Sequence, residues 1–427
     1  MRRSELAVWE PPKNRRSPMA VLEQQALTRV PDLVPIRYAR MGAGAFPFLR
    51  GAPAVMAADL AASADTGLTV QLCGDAHLSN FGLFASPERA LVFDVNDFDE
   101  TLPGPFEWDV KRLAASIAVA ARSNGFGDSA AEQCVLGCAR SYREAMQWLS
   151  TLGETEVWYA TIAIERLTAL LTHPKRRRSA AKAIEQAKNR TSLHALDTLT
   201  ETDSDGVARI AVRPPLVMST RAIDDAVIAG VFADYRRTLP EERRVLLDRY
   251  DLVDTAFKVV GVGSVGTRCF IALLIGRTTG DPLFLQMKEA EQSVLAPYAR
   301  PSRFRHQGHR VVFGQRLTQA ASDIFLGWAS DPGSHHFYCR QLRDMKGSAE
   351  IADMTRPILR DYARLCGLAL ARAHARSGDR VAIAAYLGNS DVFDRAMAGF
   401  AIAYADQTDT DYATFRAARS TAASPPH

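Results

Sequence analysis

Two short apolar runs, Leu68–Leu72 and Leu91–Val95, enclose a polar stretch that neither run can absorb. Each run has the length of a buried strand. The segment between them, Gly74-Asp75-Ala76-His77-Leu78-Ser79-Asn80, must then be a loop held between strands. The second run leads directly into Phe93-Asp94-Val95-Asn96-Asp97-Phe98-Asp99-Glu100, which is dense in acidic groups. A strand entering and a strand leaving one polar loop bring Asp75, Asn80 and Asp97 near one another.

The surroundings of this unit read as helical. Ala52–Ser63 has small and apolar residues at helical spacing, stopped by Thr66-Gly67. Residues 106–150 and 155–190 predict long alanine-rich helices. Asp205-Gly206 predicts a hairpin turn between Leu196 and Val212. Residues 220–250 are again helical, with Pro240-Glu241-Glu242 suited to a helix start. The character changes near residue 255. Phe257–Val262, Cys269–Ile275 and Leu283–Met287 predict a small antiparallel sheet, and Val311–Phe313 a further short strand. Thr355–Arg376 returns to a helical pattern. Residues 1 to about 30 read as a loose arm, and Ser420–His427 as a disordered tail.

Composition excludes several classes. With 427 residues, 47% hydrophobic and 23% charged, the chain has the profile of an ordinary globular protein. A net charge of +4 calls for neither a nucleic-acid nor a membrane partner. The basic cluster Lys175-Arg176-Arg177-Arg178 suits either an acidic surface or a solvated helix start after Pro174. Six scattered cysteines form no CxxC pair and fit a reducing cytoplasm. Neither a signal-peptide stretch nor a run of about 18 apolar residues is found, so a cytoplasmic location is expected.

Oxygen ligands such as Asn80 and Asp97 suit a hard cation like magnesium, which keeps waters and bridges phosphates. Asp75 can accept a proton from an attacking hydroxyl. Read singly, Asp75 and Asp97 are equally turn and cap residues. A second constellation follows much later: Gly261-Val262-Gly263-Ser264-Val265-Gly266, then the run CFIALLIG, then Lys288. A dinucleotide-binding turn needs a helix directly after its glycines, and here a strand follows. A glycine-rich hairpin before a lysine-bearing strand closes backbone N–H groups over phosphates, with the lysine beside them. A surface lysine at a strand end is the plainer alternative.

GDxHxxN with Asp-Phe-Asp some seventeen residues later resembles the catalytic and metal-binding loops of aminoglycoside phosphotransferases and choline kinases. The resemblance implies that Asp75 is the base, Asn80 and Asp97 (with Asp99 beside them) the magnesium ligands, and His77 a brace of the loop. Asp109 falls where those enzymes support the loop from the following helix. Gly261, Gly263, Ser264 and Gly266 would cover the ATP phosphates, with Lys288 positioning them and Glu291 the nearest candidate to pair with it. Gln315, Arg316 and Asp323 fall where a kinase has its hinge. Cys73 departs from the histidine common before Gly-Asp. The order is also inverted, because the glycine loop follows the catalytic loop. Either the lobes are permuted or the two motifs belong to unrelated sites.

The whole chain further resembles an uncharacterised bacterial family, domain of unknown function 2252. Arg50-Gly51, GDAHLSNFG, NDFDET, WDVKRLAAS, GVGSVGTR, QMKEA, GQRLTQAASDIFLGW and the LARAHARSGD helix carry that likeness from about residue 36 to 413.

The resulting expectation is an α+β, bilobal, protein-kinase-like fold in circularly permuted order. It comprises an arm (1–35), a helical catalytic lobe (36–250), a β-rich nucleotide lobe (251–330) and a C-terminal helical region (331–420). The expected function is ATP- and Mg-dependent phosphoryl transfer to an unknown hydroxyl acceptor. The absence of an Ala-Pro-Glu activation segment tilts that acceptor toward a small molecule. Adenylyl transfer on the same scaffold, or a silent nucleotide-binding scaffold protein, are the alternatives.

Overall fold

The helix Phe106–Ser123 is buried on every side from Phe106 to Ala121, so other helices must surround it. A computed structural model, describing residues 1–164, 174–220, 223–342 and 345–422, provides them. Asp128–Ser150, Arg356–Ala375 and Val392–Ala422 pack against it, and the first of them also packs against the other two. The approach is tight where Gly367 meets the Cys138 carbonyl: a Cβ there would lie 2.4 Å from that oxygen. Small residues at such crossings let the helices close into one core.

The second layer is a six-stranded antiparallel sheet in the order Gly327–Ser330, His336–Gln341, Pro282–Glu289, Cys269–Gly276, Tyr250–Lys258, Val217–Ser219. Alternation along its strands serves two cores. Leu274, Leu283 and Leu285 face Tyr235, Leu239 and Phe325, whereas Ile271, Leu273 and Phe284 face Ala195 and Ile210. Short paired strands flank the polar loop: Thr69–Leu72 pairs with Leu102–Pro105, and Phe81–Ala85 pairs with Leu91–Val95. The molecule is therefore a mixed α+β structure with small antiparallel sheets.

Several expectations change. The apolar triplet Val311–Phe313 lies inside the helix Gln307–Thr318 rather than in a strand. Its buried neighbours at helical spacing, Gly308, Gln315 and Thr318, decide the period, and a three-residue window cannot show it. The first strand runs over Tyr250–Lys258 instead of Phe257–Val262, because the glycine-rich segment leaves the sheet after Lys258. The sheet also extends beyond residues 251–330, taking in Val217–Ser219 and His336–Gln341. The amino-terminal arm is packed: Leu6 and Leu22 are buried, and Ser17 caps a helix over Pro18–Ala26. Arg15 fastens it by ion pairs to Asp59 and Asp411.

The long helix expected over 106–150 is broken at Gly125, whose φ of +77° turns the chain. The 220–250 stretch is two helices, Asp225–Thr238 and Glu241–Leu247, with Pro240 at the start of the second. The 155–190 stretch shows Glu154–Tyr159 and Pro174–Lys188, with 165–173 outside the described residues. The hairpin at Asp205-Gly206 joins Thr200–Thr202 to Ala208–Ile210. Of the tail, helix continues to Ala422, and 423–427 lie outside the described residues.

Candidate active site

Gly74 takes a φ of +88°, and a Cβ on it would fall 2.2 Å from the Glu100 carbonyl oxygen. Glycine is needed here for both reasons. The loop is then hung from the buried helix: Asp109 accepts from the Cys73 N–H at 2.7 Å and the Gly74 N–H at 3.0 Å. Asp109 is in turn met by His374 Nε2 at 3.3 Å, and His374 Nδ1 lies 2.9 Å from the Tyr142 hydroxyl. His374 is fully buried in this chain of contacts.

Asp75 projects from that support. Arg112 Nε, one turn after Asp109, donates to Asp75 Oδ1 at 2.8 Å. Asn80 Nδ2 donates to the Asp75 carbonyl at 2.8 Å, and His77 Nε2 stands 3.6 Å from Asp75 Oδ2. Burial pushes the Asp75 carboxyl up, with Arg112 opposing. Burial, with Arg50 and Arg112 nearby, pushes His77 well down, so its imidazole is neutral. A neutral imidazole beside a carboxylate positions the loop without competing for its charge.

Phe98, buried, pins the turn that presents Asp97 and Asp99. Lys288 reaches them from the strand Pro282–Glu289. Its ammonium, also buried, bonds Asp99 Oδ2 and lies 3.7 Å from Asp97 Oδ1. The Tyr338 hydroxyl donates to Asp99 Oδ1 at 2.8 Å, and Arg310 Nη2 to the Asp99 carbonyl at 2.8 Å. Burial disfavours the ammonium, but Asp97 and Asp99 outweigh it and hold Lys288 well above its ordinary range. Burial likewise pushes Asp97 up, yet Lys288 and Arg340 outweigh it and hold Asp97 below the usual carboxylate range. Asp99, by contrast, is pushed up, first by burial and then by Asp97.

The glycine loop lies over this cluster. Gly261 and Gly266 take φ of +69° and +96°. Its position is set by the amino-terminal segment: Arg29 Nη1 donates to the Val265 carbonyl at 2.6 Å, the Val30 N–H to the Gly266 carbonyl at 2.8 Å, and Arg40 to the Gly261 carbonyl. A cavity of about 590 Å³ takes Asp75, Asn80, Asp97 and Asp99 on one wall and Gly261, Gly263 and Ser264 on another. His77 and Glu291 also line it, whereas Gly266 and Lys288 stand behind its surface. Lys288 pairs with Asp99 and Asp97, not with Glu291. The neighbouring Glu289 is engaged by the Arg268 N–H at 2.8 Å and its guanidinium at 3.0 Å.

The donors suit a magnesium ion held by few protein ligands. Asp97 Oδ1 is buried with no hydrogen-bond partner, and Asn80 lines the same cavity. Asp99 fits less well, since Lys288 and Tyr338 take its two oxygens. Among the described residues no group of three or more His, Cys, Asp or Glu side chains converges as a metal site.

Sequence reasoning missed Arg50, Arg112, Arg310 and Tyr338. Arg112 left a usable signal, lying three residues after Asp109 on one helix face. The hinge candidates lie apart from the large cavity. Gln315, Gln319 and Asp323 border a separate, smaller cavity of about 50 Å³ with Arg340 and Lys346. Asp323 accepts from the Phe325 N–H, and Arg316 donates to the Leu326 carbonyl. The six cysteines are all buried and free of disulfides. The basic cluster lies in the helix Pro174–Lys188, with Arg178 exposed. Among the described residues, no helix is long and apolar enough to cross a membrane.

Residues 29–418 match a family described as uncharacterized protein conserved in bacteria (DUF2252). No curated protein and no solved structure matches the chain.

Proposed function

The chain belongs to that bacterial family, DUF2252, whose description assigns no reaction, and we propose that it is an ATP- and magnesium-dependent phosphotransferase acting on the hydroxyl of a small molecule. One observation carries the reading. Lys288 and Asp99 lie 189 positions apart, on the strand after the glycine loop and in the acidic segment after the polar loop, yet their side chains are bonded. Two segments that each suit phosphate and metal chemistry thus meet at one cavity. That juxtaposition supports a kinase-like arrangement with the lobes in permuted order: the glycine hairpin precedes the lysine strand, and the helix Gln307–Thr318 follows it.

In this reading Gly261, Gly263 and Ser264 offer backbone N–H groups to the phosphates. Lys288 holds Asp97 and Asp99 and supplies positive charge behind them. Asn80 and Asp97 would hold magnesium, which neutralises phosphate charge and fixes its orientation. Asp75 accepts the proton of the acceptor hydroxyl as the new bond forms. Its raised affinity for protons makes it a better base, and Arg112 keeps it ionised and aimed. Catalysis would come from positioning and charge neutralisation.

The test is calorimetric titration of the full chain with ATP, with and without magnesium. Metal-dependent binding at micromolar to millimolar ATP is expected, and its absence sinks the reading. Mass analysis of products from γ- and α-labelled ATP then separates the routes. Label appearing on the acceptor from the γ position supports phosphoryl transfer; label from the α position supports adenylyl transfer instead.

A further inference from the structure

We propose that Arg50 contacts the terminal phosphate of the nucleotide; the inference rests on the phosphotransferase reading and adds to it a residue that the kinase-like motifs do not supply. Arg50 stands in the last turn of the helix Ala45–Gly51, directly beneath the glycine loop. A Cβ on Gly263 would come 3.1 Å from the Arg50 carbonyl oxygen. The side chain lines the cavity beside Asp75, Asn80 and Asp97, with its guanidinium 5.9 Å from the Phe46 ring centroid.

What marks this arginine is what it does not bind. Its Nε is buried without a hydrogen-bond partner, and among the described residues no ion pair engages its guanidinium. The neighbouring arginines are committed. Arg29 donates to the Val265 carbonyl, and Arg112 donates to Asp75 and to the Leu49 carbonyl. Nor is Arg50 needed as a counter-ion. The carboxylates it feels most include Asp75 and Asp97, and these already have Arg112 at 2.8 Å and Lys288 at 3.7 Å.

A guanidinium offers five N–H donors in a rigid plane, and leaving a buried one such as the Arg50 Nε–H unpaired is costly. Its geometric match is a carboxylate or phosphate edge. Set between the base, the metal ligand and the glycine loop, Arg50 faces the place where a γ-phosphoryl group would sit. As the acceptor oxygen bonds to the γ-phosphorus, the bond to the β,γ-bridging oxygen breaks and its electron pair leaves with ADP. The acceptor proton passes to Asp75. Arg50 would neutralise charge on the non-bridging oxygens throughout, the task of an arginine supplied in cis.

The experiment is calorimetric titration of the full chain with Mg-ATP and with Mg-ADP for wild type, Arg50→Gln and Arg50→Lys, each with its thermal unfolding midpoint. Arg50→Gln is expected to weaken Mg-ATP by about tenfold or more and Mg-ADP by less than about twofold. Arg50→Lys, which keeps the charge but not the fork, should recover part of the difference. Equal losses for both nucleotides, or wild-type affinity for both, at an unchanged midpoint would overturn the assignment. If Arg50→Gln does not fold, Arg50→Lys is read by the same ATP-versus-ADP criterion. Wild type binding neither nucleotide is a separate outcome, and it removes the phosphotransferase reading itself.

Discussion

The two loops that meet at the cavity are held in different ways. The polar loop around Asp75 hangs from the centre of the helical core, through Asp109, His374 and Tyr142, all buried. The glycine loop is clasped from outside, by Arg29, Val30 and Arg40 of the amino-terminal segment. Asp75 and its loop are thus held by the helical core, while the glycine loop is held by its contacts with the amino-terminal segment. Substitutions at the first loop should therefore cost stability, and substitutions at the second should chiefly cost affinity.

The largest effect should come from the inner support. Asp109→Ala leaves two backbone N–H groups and His374 without their acceptor, and a stability loss of about 3–5 kcal/mol is expected in urea denaturation. A loss under about 1 kcal/mol would mean that the loop is not hung there.

Glu100, in the acidic segment, comes next. Its carboxylate accepts from the Val294 N–H at 2.7 Å, yet burial pushes it up from 4.5 to about 7. Folded Glu100 therefore holds its proton where the unfolded chain has released it. Its favourable contribution is whole below pH 4.5 and is lost as the pH rises toward 7. Glu100→Gln should flatten this decline by on the order of 2 kcal/mol, read from urea midpoints across that range. An unchanged slope would contradict the burial argument.

At the outer loop the balance should reverse. Gly266→Ala forces a Cβ to 3.0 Å from the Arg29 side chain at a φ of +96°. A loss of about 1 kcal/mol in stability is expected, with several-fold weaker Mg-ATP binding by calorimetry. Arg40→Ala should be smallest, with less than about 1 kcal/mol in stability, because half-buried Arg40 gives up a single hydrogen bond, to the Gly261 carbonyl. A measurable loss of nucleotide affinity is still expected. If either variant lost stability and kept affinity, the contrast between the loops would be wrong.

The same contrast explains what could be read from the sequence. Asp75, Asn80 and Asp97 are legible because one short stretch between two strands must present them together. Lys288 is legible because a glycine-rich turn and an apolar strand announce it. Arg310 and Tyr338 leave no such trace: each matters through a partner far along the chain, as when Arg310 reaches the Asp99 carbonyl across 211 positions. The arm was misread for the same reason, since its anchor, Arg15 to Asp411, spans 396 positions. The lysine's partner was sought close by, at Glu291, where the kinase pattern suggested a glutamate. The fold instead gives it the acidic segment.

The central claim is that residues from the two halves of the chain form one site. A double-mutant cycle tests it most directly: Mg-ATP affinity by calorimetry for wild type, Asp97→Asn, Lys288→Met and the double variant, with circular dichroism confirming the fold of each. If the two residues act on one bound nucleotide, each single change should weaken binding by about tenfold or more. The double variant should then be little worse than the weaker single. Two losses that simply add, or a single variant that binds Mg-ATP as wild type does, would contradict it.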